Sequence, residues 1–183
     1  MSARKLNIGC GTDKQEGFIG IDILDLDGVD IVWNLEKFPW PLEDNSFDYI
    51  KACHIVEHIN DLVGFFREIL RIASNDAILR IETPHFSSSN SWADPTHVKH
   101  LSLFFTDPFT RGTYLTEAKI RFELVSRRVS FGHLIGSMKA RLISKLFGYK
   151  RWEKNAFRMP ACNIYIVLKV VKEADGTQGS APP

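Results

Sequence analysis

A chain of 183 residues with 44% hydrophobic and 25% charged side chains can bury one substantial core and lacks the polar excess of a disordered chain. With 23 basic and 22 acidic residues its net charge is +1, which excludes the distinctly basic balance of a general nucleic-acid binder. Three widely spaced cysteines exclude a disulfide framework, and no apolar run is long enough to span a membrane. The cysteine usage, with no signal peptide ahead of the first strand, leads us to expect a reducing, cytoplasmic setting.

Residues 5–9 read as a first strand and 18–22 as a second. About eight residues separate them, and a crossover with a full helix needs at least ten to twelve. The first helix is therefore expected to shrink to a turn around 13–16. Residues 31–35 read as the third strand and 47–53 as the fourth. Asn60 or Asp61 then caps a helix reaching about Ala73. Its stripe of Leu62, Phe65, Phe66, Ile69 and Ala73 repeats at helical spacing and is assigned to the core. Residues 74–76 stop that helix, and 77–82 form the fifth strand. Residues 121–131 and 163–172 are rich in β-branched and aromatic side chains and read as the last two strands, with a helix over 137–147 between them. One domain is expected over 1–172. The polar, proline-ended tail 173–183 is expected to be disordered.

The first strand ends in Gly9-Cys10-Gly11 and the second in Asp22. An open α/β sheet makes a nucleotide site in this way. Glycines let the backbone approach the ligand, and the acid takes the ribose hydroxyls. Further along come Pro41-Leu-Glu-Asp-Asn-Ser-Phe-Asp-Tyr-Ile50, His54-Ile-Val-Glu-His58, Glu68-Ile-Leu-Arg71 and Leu79-Arg-Ile-Glu-Thr-Pro84. Over about residues 5–110 this ordered series resembles the class I S-adenosylmethionine-dependent methyltransferases. The resemblance implies a minimal, Rossmann-like α/β fold: a mostly parallel sheet with an antiparallel last strand. It implies S-adenosylmethionine as cofactor. The turn of Asn7, Gly9, Cys10 and Gly11 would take the methionyl group, and Asp22 with Ile23 the ribose. Asn34 and Leu35 would take the adenine. Ala52, Cys53 and His54 would wall the sulfonium, and His58 would shape the pocket. Two positions depart from the family pattern. Asn7 stands where an acid is usual and Asp13 where a third glycine is usual, and both changes weaken expected contacts to the methionyl group. Cys10 is read as a small apolar filler rather than a nucleophile.

Five of the six histidines fall in residues 54–58 and 85–100, the two segments that flank the carboxyl edge where open sheets bind ligands. In the preferred arrangement, which holds no metal, His97 is a general base with His85 or Asp94 orienting the acceptor or the imidazole. In the alternative, Glu57, His58 and His97, with His54, hold a divalent metal. That alternative resembles metal-dependent 2′-O-methyltransferases of small RNA and some quinone O-methyltransferases, with His54 in place of their first Glu. The run Thr83-Pro-His-Phe-Ser-Ser88 with Asp94-Pro-Thr-His97 resembles short bacterial methyltransferases associated with glycan or secondary-metabolite pathways. The acceptor is expected to be a small polar molecule carrying a hydroxyl or amine. A catalytically inactive S-adenosylmethionine-binding protein is the competing reading. A nicotinamide dehydrogenase is disfavoured, because the third glycine is missing and the first helix has no room.

Charge is uneven. Acids crowd the cofactor half, whereas seven bases between Lys139 and Arg158 face Glu153 alone. A solvated helix face explains this most simply. Recognition of an anionic acceptor comes next, and RNA or membrane-surface binding ranks lower. Pairing through the edge of the last strands offers a route to a homodimer.

Overall fold

A computed structural model describes residues 3–111, 121–131 and 135–172. Seven strands are present: β1 (Lys5–Ile8), β2 (Phe18–Asp22), β3 (Ile31–Val32), β4 (Phe47–Cys53), β5 (Ala73–Pro84), β6 (Phe122–Val129) and β7 (Asn163–Val170). They form one sheet in the order β3-β2-β1-β4-β5-β7-β6. The first five run parallel, and β7 is antiparallel to both of its neighbours. This is the expected Rossmann-like sheet. Five helices accompany it among the described residues: α1 (Leu62–Ile72), α2 (Asn90–Ala93), α3 (Asp107–Thr110), α4 (Ile135–Phe147) and α5 (Tyr149–Glu153). The tail expected to be disordered lies outside the described residues.

Alternation along the strands gives the sheet two different faces. Leu6, Ile8, Ile50, Leu79, Ile81, Ile166 and Leu168 point to one face and are fully buried. There α1 contributes Phe65, Phe66, Ile69 and Ile72, on a helix capped by Asp61, whose carboxylate accepts from Gly64 N at 2.8 Å. The register puts Phe18, Tyr49, Lys51, Arg80, Val167 and Tyr165 on the other face. As anticipated, the β1–β2 connection holds only turns, and the β2–β3 connection holds no helix either. Neither supplies cover. Long side chains roof this face instead: the Lys5 ammonium lies over the Phe18 ring and the Arg128 guanidinium over Tyr165 at 3.9 Å.

Several boundaries differ from expectation, with β1, β6 and β7 each shorter by one to three residues. β3 stops at Val32 because Asn34 opens a turn, its side-chain oxygen accepting from Glu36 N. α1 passes directly into β5, and residues 74–76 continue the strand instead of forming a loop. Ala73 pairs with Phe47, the Ser74 hydroxyl donates to Asp48, and a register shift between Phe47 and Tyr49 absorbs the extra length. α4 starts two residues early, at Ile135. β6 is an outer strand, as edge pairing would require. It also carries a register shift between Leu124 and Ser126, with Arg127 and Arg128 next to it, and such features blunt edge-to-edge association.

The β3–β4 connection is pinned to α1 by one arginine. Arg71 donates to the carbonyls of Trp40 and Leu42 and to the carboxylates of Asp44 and Glu68, while Glu68 accepts from Trp40 N. Arg71→Met strips these donors from a largely buried carboxylate. We expect an unfolding free energy lower by about 2–3 kcal/mol, read as a fall in urea midpoint at constant slope.

Candidate active site

β1 ends in a tight bend. Gly9 and Gly11 have φ of +63° and +50°, and Gly11 N donates to Asp22 Oδ2 at 2.9 Å. Leu24 N donates to the other oxygen of Asp22, so two amides fix that carboxylate at the carboxyl edge of the sheet. Beside it lies a cleft of about 280 Å³. Its polar positions are Asp22, Asn34, Glu36, His58 and Asn60, and its apolar walls are Ile23, Leu35, Ile55 and Ile59. A carboxylate for a ribose diol, an amide near a base edge and an aliphatic slot for a flat ring are the donor set an adenosyl group needs. The close approach of chain to wall is built in: a Cβ on Gly9 would sit 2.8 Å from Ile55. The residues present therefore fit the cofactor.

Of the cofactor residues read from the sequence, Gly9, Asp22, Ile23, Asn34, Leu35 and His58 line this cleft together. Gly11 supports it through Asp22. Asn7 is buried, and its amide donates to Asp13 O, so it shapes the turn from behind. Cys10 packs its sulfur against Gly20, and burial, followed by the charge of Asp22, pushes its thiol pKa up, as suits a filler. Cys53 lines a different cavity, with Lys51, Arg80 and Glu82, and burial raises its thiol as well. His54 does not line the cleft either, because its backbone takes φ +52° and its ring turns to Glu57. Ile55 and Ile59, which the sequence reading passed over, form the wall of the cleft that follows β4. Glu36 was also missed. Its carboxylate accepts from Asn60 N and Asp61 N and joins the end of β3 to the start of α1. Gly9→Ala would force an L side chain into a left-handed conformation against Ile55. We expect cofactor affinity to drop by about tenfold or more in titration calorimetry, with the far-ultraviolet dichroism unchanged.

A second group of side chains abuts the cleft. Val56–His58 forms a single turn of 3-10 helix. Glu57, 2% exposed, accepts from the Thr83 hydroxyl at 2.9 Å through Oε2. Its Oε1 lies 3.2 Å from His54 Nδ1 and 4.0 Å from His97 Nε2. Its carbonyl accepts from Val98 N and Lys99 N, so the loop after β5 is docked on it. His97 Nδ1 is 3.0 Å from the carbonyl of Ser91, which can only accept, so in the neutral ring Nδ1 carries the hydrogen and Nε2 the lone pair. His58 behaves alike. The Thr96 hydroxyl gives its one hydrogen to Asp94 at 2.6 Å, so both Thr96 oxygens accept from His58 Nδ1. One ligand atom each from Glu57, His58 and His97 lie within 4.8 Å of one another. Asp94 Oδ2 is 3.9 Å from His97 Nε2, and the Thr96 hydroxyl and amide hold its carboxyl below the usual range. The hydrogen bond with Glu57 raises the His54 pKa.

His85 stands apart from this cluster, and the orienting role expected of it is corrected. It is fully buried, with Nε2 donating to Glu153 at 3.0 Å and Nδ1 accepting from Ser87. Neither nitrogen is left for an acceptor. Glu153 also accepts from Leu103 N and the Ser102 hydroxyl, so the pair ties α5 to the loop after β5. Burial pushes the Glu153 carboxyl up, but its hydrogen bonds, from His85 first, outweigh that and leave it below the ordinary 4.5. A depressed folded pKa gives stability that is present above the unfolded value and lost as pH falls through the folded one. Thermal melts between about pH 6 and 3 should therefore show a shallower acid decline for Glu153→Gln than for the parent.

A family model for the methyltransferase domain matches residues 25–81. None of the curated proteins matches the sequence. Among solved structures, an S-adenosylmethionine-dependent methyltransferase from Archaeoglobus fulgidus superposes with a TM-score of 0.58 at 18% identity, over 91% of this chain and 86% of that one. One from Mesorhizobium loti gives 0.57 at 14% identity, over 91% and 90%. The cyclase SpnF gives 0.58 at 16% identity, over 94% and 76%. These likenesses are of fold. Together with the domain match they give this chain the Rossmann-like architecture of a methyltransferase domain, and the cleft offers the donor set that S-adenosylmethionine needs.

Proposed function

We propose that the chain is an S-adenosylmethionine-dependent methyltransferase that methylates a hydroxyl or amine of a small polar acceptor, of the kind found in glycan or secondary-metabolite precursors, with His97 as the base. The cofactor, when bound, supplies a methyl group on an activated sulfonium. The chain has to hold, align and deprotonate. Asp22 and Asn34 hold the nucleoside, and Ile55 and Ile59 keep water from it. The observation that carries the reading is the Nε2 of His97, about 4 Å from both Glu57 and Asp94, on a ring 4.7 Å from that of His58, which lines the cleft. Nε2 takes the acceptor proton. The carboxylates of Glu57 and Asp94 balance the imidazolium that results, and the Ser91 carbonyl keeps the ring in its orientation.

A second reading has its own support. Glu57, His58 and His97 offer one carboxylate and two imidazoles, with both Nδ1 hydrogens held by oxygens, as metal-binding histidines commonly are. A divalent ion on such a mixed set would be Zn, Mn, Fe or Co more readily than Mg. The third reading is an S-adenosylmethionine-binding protein that transfers no methyl group. It would show calorimetric binding of the cofactor and its demethylated product, without turnover on any acceptor.

Transfer of label from S-adenosylmethionine to a panel of hydroxyl and amine acceptors separates these readings. His97→Ala should lower turnover by roughly a hundredfold or more and leave cofactor affinity near that of the parent. Loss of activity in chelator, restored by one added metal, assigns the cluster to the second reading. Unchanged turnover in His97→Ala discards both.

A further inference from the structure

α4 wears its apolar side outward. Successive helical residues turn by about 100°, so Met138, Leu142 and Leu146 share one stripe. They are 67%, 57% and 64% exposed. The opposite side carries fully buried Ala140 and Ile143, which packs against the core. Lys139 flanks the exposed stripe on one side, and Arg141 and Lys145 flank it on the other. No acid occurs anywhere in Ile135–Phe147. A helix that merely covers a core buries its apolar stripe and shows its charges. Here a second apolar stripe is shown as well.

The surroundings extend the pattern. Phe157 is 74% exposed, and Lys150, Arg151, Lys154 and Arg158 are exposed beside it in sequence. The one acid among residues 139–158, Glu153, is taken up by His85, Ser102 and Leu103. Arg128, Arg141 and Lys145 line a cavity of about 620 Å³ with Ser130, Ser144 and Tyr149. Arg128 stacks on Tyr165 and Arg141 donates to the Phe131 carbonyl, and among the described residues none of these three cations meets a carboxylate.

We propose that α4 and its flanking cations seat the enzyme on an anionic lipid bilayer, the cavity beneath Arg141 and Lys145 receiving a lipid phosphate. An apolar stripe bordered by lysine and arginine is what a helix lying in the headgroup region requires, and a helix of this length lies in that region without spanning it. A second copy of the chain is a poor occupant, because a twofold contact would set this cationic surface against itself. The near-neutral total charge hides the surface, since acids concentrated around residues 22–48 cancel it in the sum. The proposal goes beyond the methyl-transfer reading and does not depend on which group deprotonates the acceptor.

Flotation of the full chain with vesicles tests it. Vesicles of phosphatidylcholine with about 30% phosphatidylglycerol should bind about tenfold more protein than phosphatidylcholine alone, and about 0.5 M salt should abolish most of the difference. Leu142→Glu with Leu146→Glu, and separately Arg141→Glu with Lys145→Glu, should reduce binding to the level of neutral vesicles. Leu142→Gln with Leu146→Gln provides a milder pair should the first melt early. Equal binding to both vesicle types, or variants that float like the parent, overturns the proposal. So does a concentration-dependent dimer in sedimentation that the leucine variants dissolve while vesicles capture nothing.

Discussion

A carboxyl group in a protein interior has to find donors, and Glu57 finds two, the Thr83 hydroxyl at the end of β5 and the His54 ring just after β4. The same residue's carbonyl accepts two amides from the loop beyond β5. Moving any of the three segments would strand a polar atom away from water. Their mutual placement, and with it the placement of two imidazoles beside the nucleoside cleft, follows from satisfying this one residue.

The cleft itself works with fewer supports than a fully wound α/β sheet provides. The first connection has no helix, so none there turns its N-terminus toward the glycine bend. What holds the glycine bend is a set of side chains: Asn7 to the Asp13 carbonyl, Asp22 to Gly11 N, and the Lys51–Asp13 ion pair at 2.7 Å. Lys51 holds the Asp13 carboxyl below its usual range. The acid at the position of the third glycine is thereby turned into a strut. The bare sheet face is treated in the same way, with aliphatic stems and cations laid over Phe18 and Tyr165 where helices would otherwise lie.

Much of this was legible from residue pattern. β2 and β4 coincide with their apolar runs, and Asp61 caps α1 as its side chain suggests. Local chemistry decided those elements. It failed where distant partners decide. Residues 74–76 look like a helix stop and a loop, but pairing of Ala73 with Phe47 draws them into β5. His85 belongs by sequence to the loop expected to carry the base, yet Glu153, 68 residues away, claims it. Cys53 and His54 sit at the right strand end. Strand alternation turns Cys53 to the far face, and a left-handed backbone turns His54 to Glu57. Ile55 and Ile59 carried no chemical signal, because an aliphatic wall resembles any other core residue until the cavity is seen. The outward stripe of α4 is invisible to periodicity, which shows that a helix has an apolar side and not which way that side faces.

His58 is counted twice in this molecule. It lines the nucleoside cleft, and its ring meets that of His97 edge to face at 4.7 Å. A partition shared by two chambers transmits pressure between them. A change in the tilt of that one ring would therefore be felt on both of its sides.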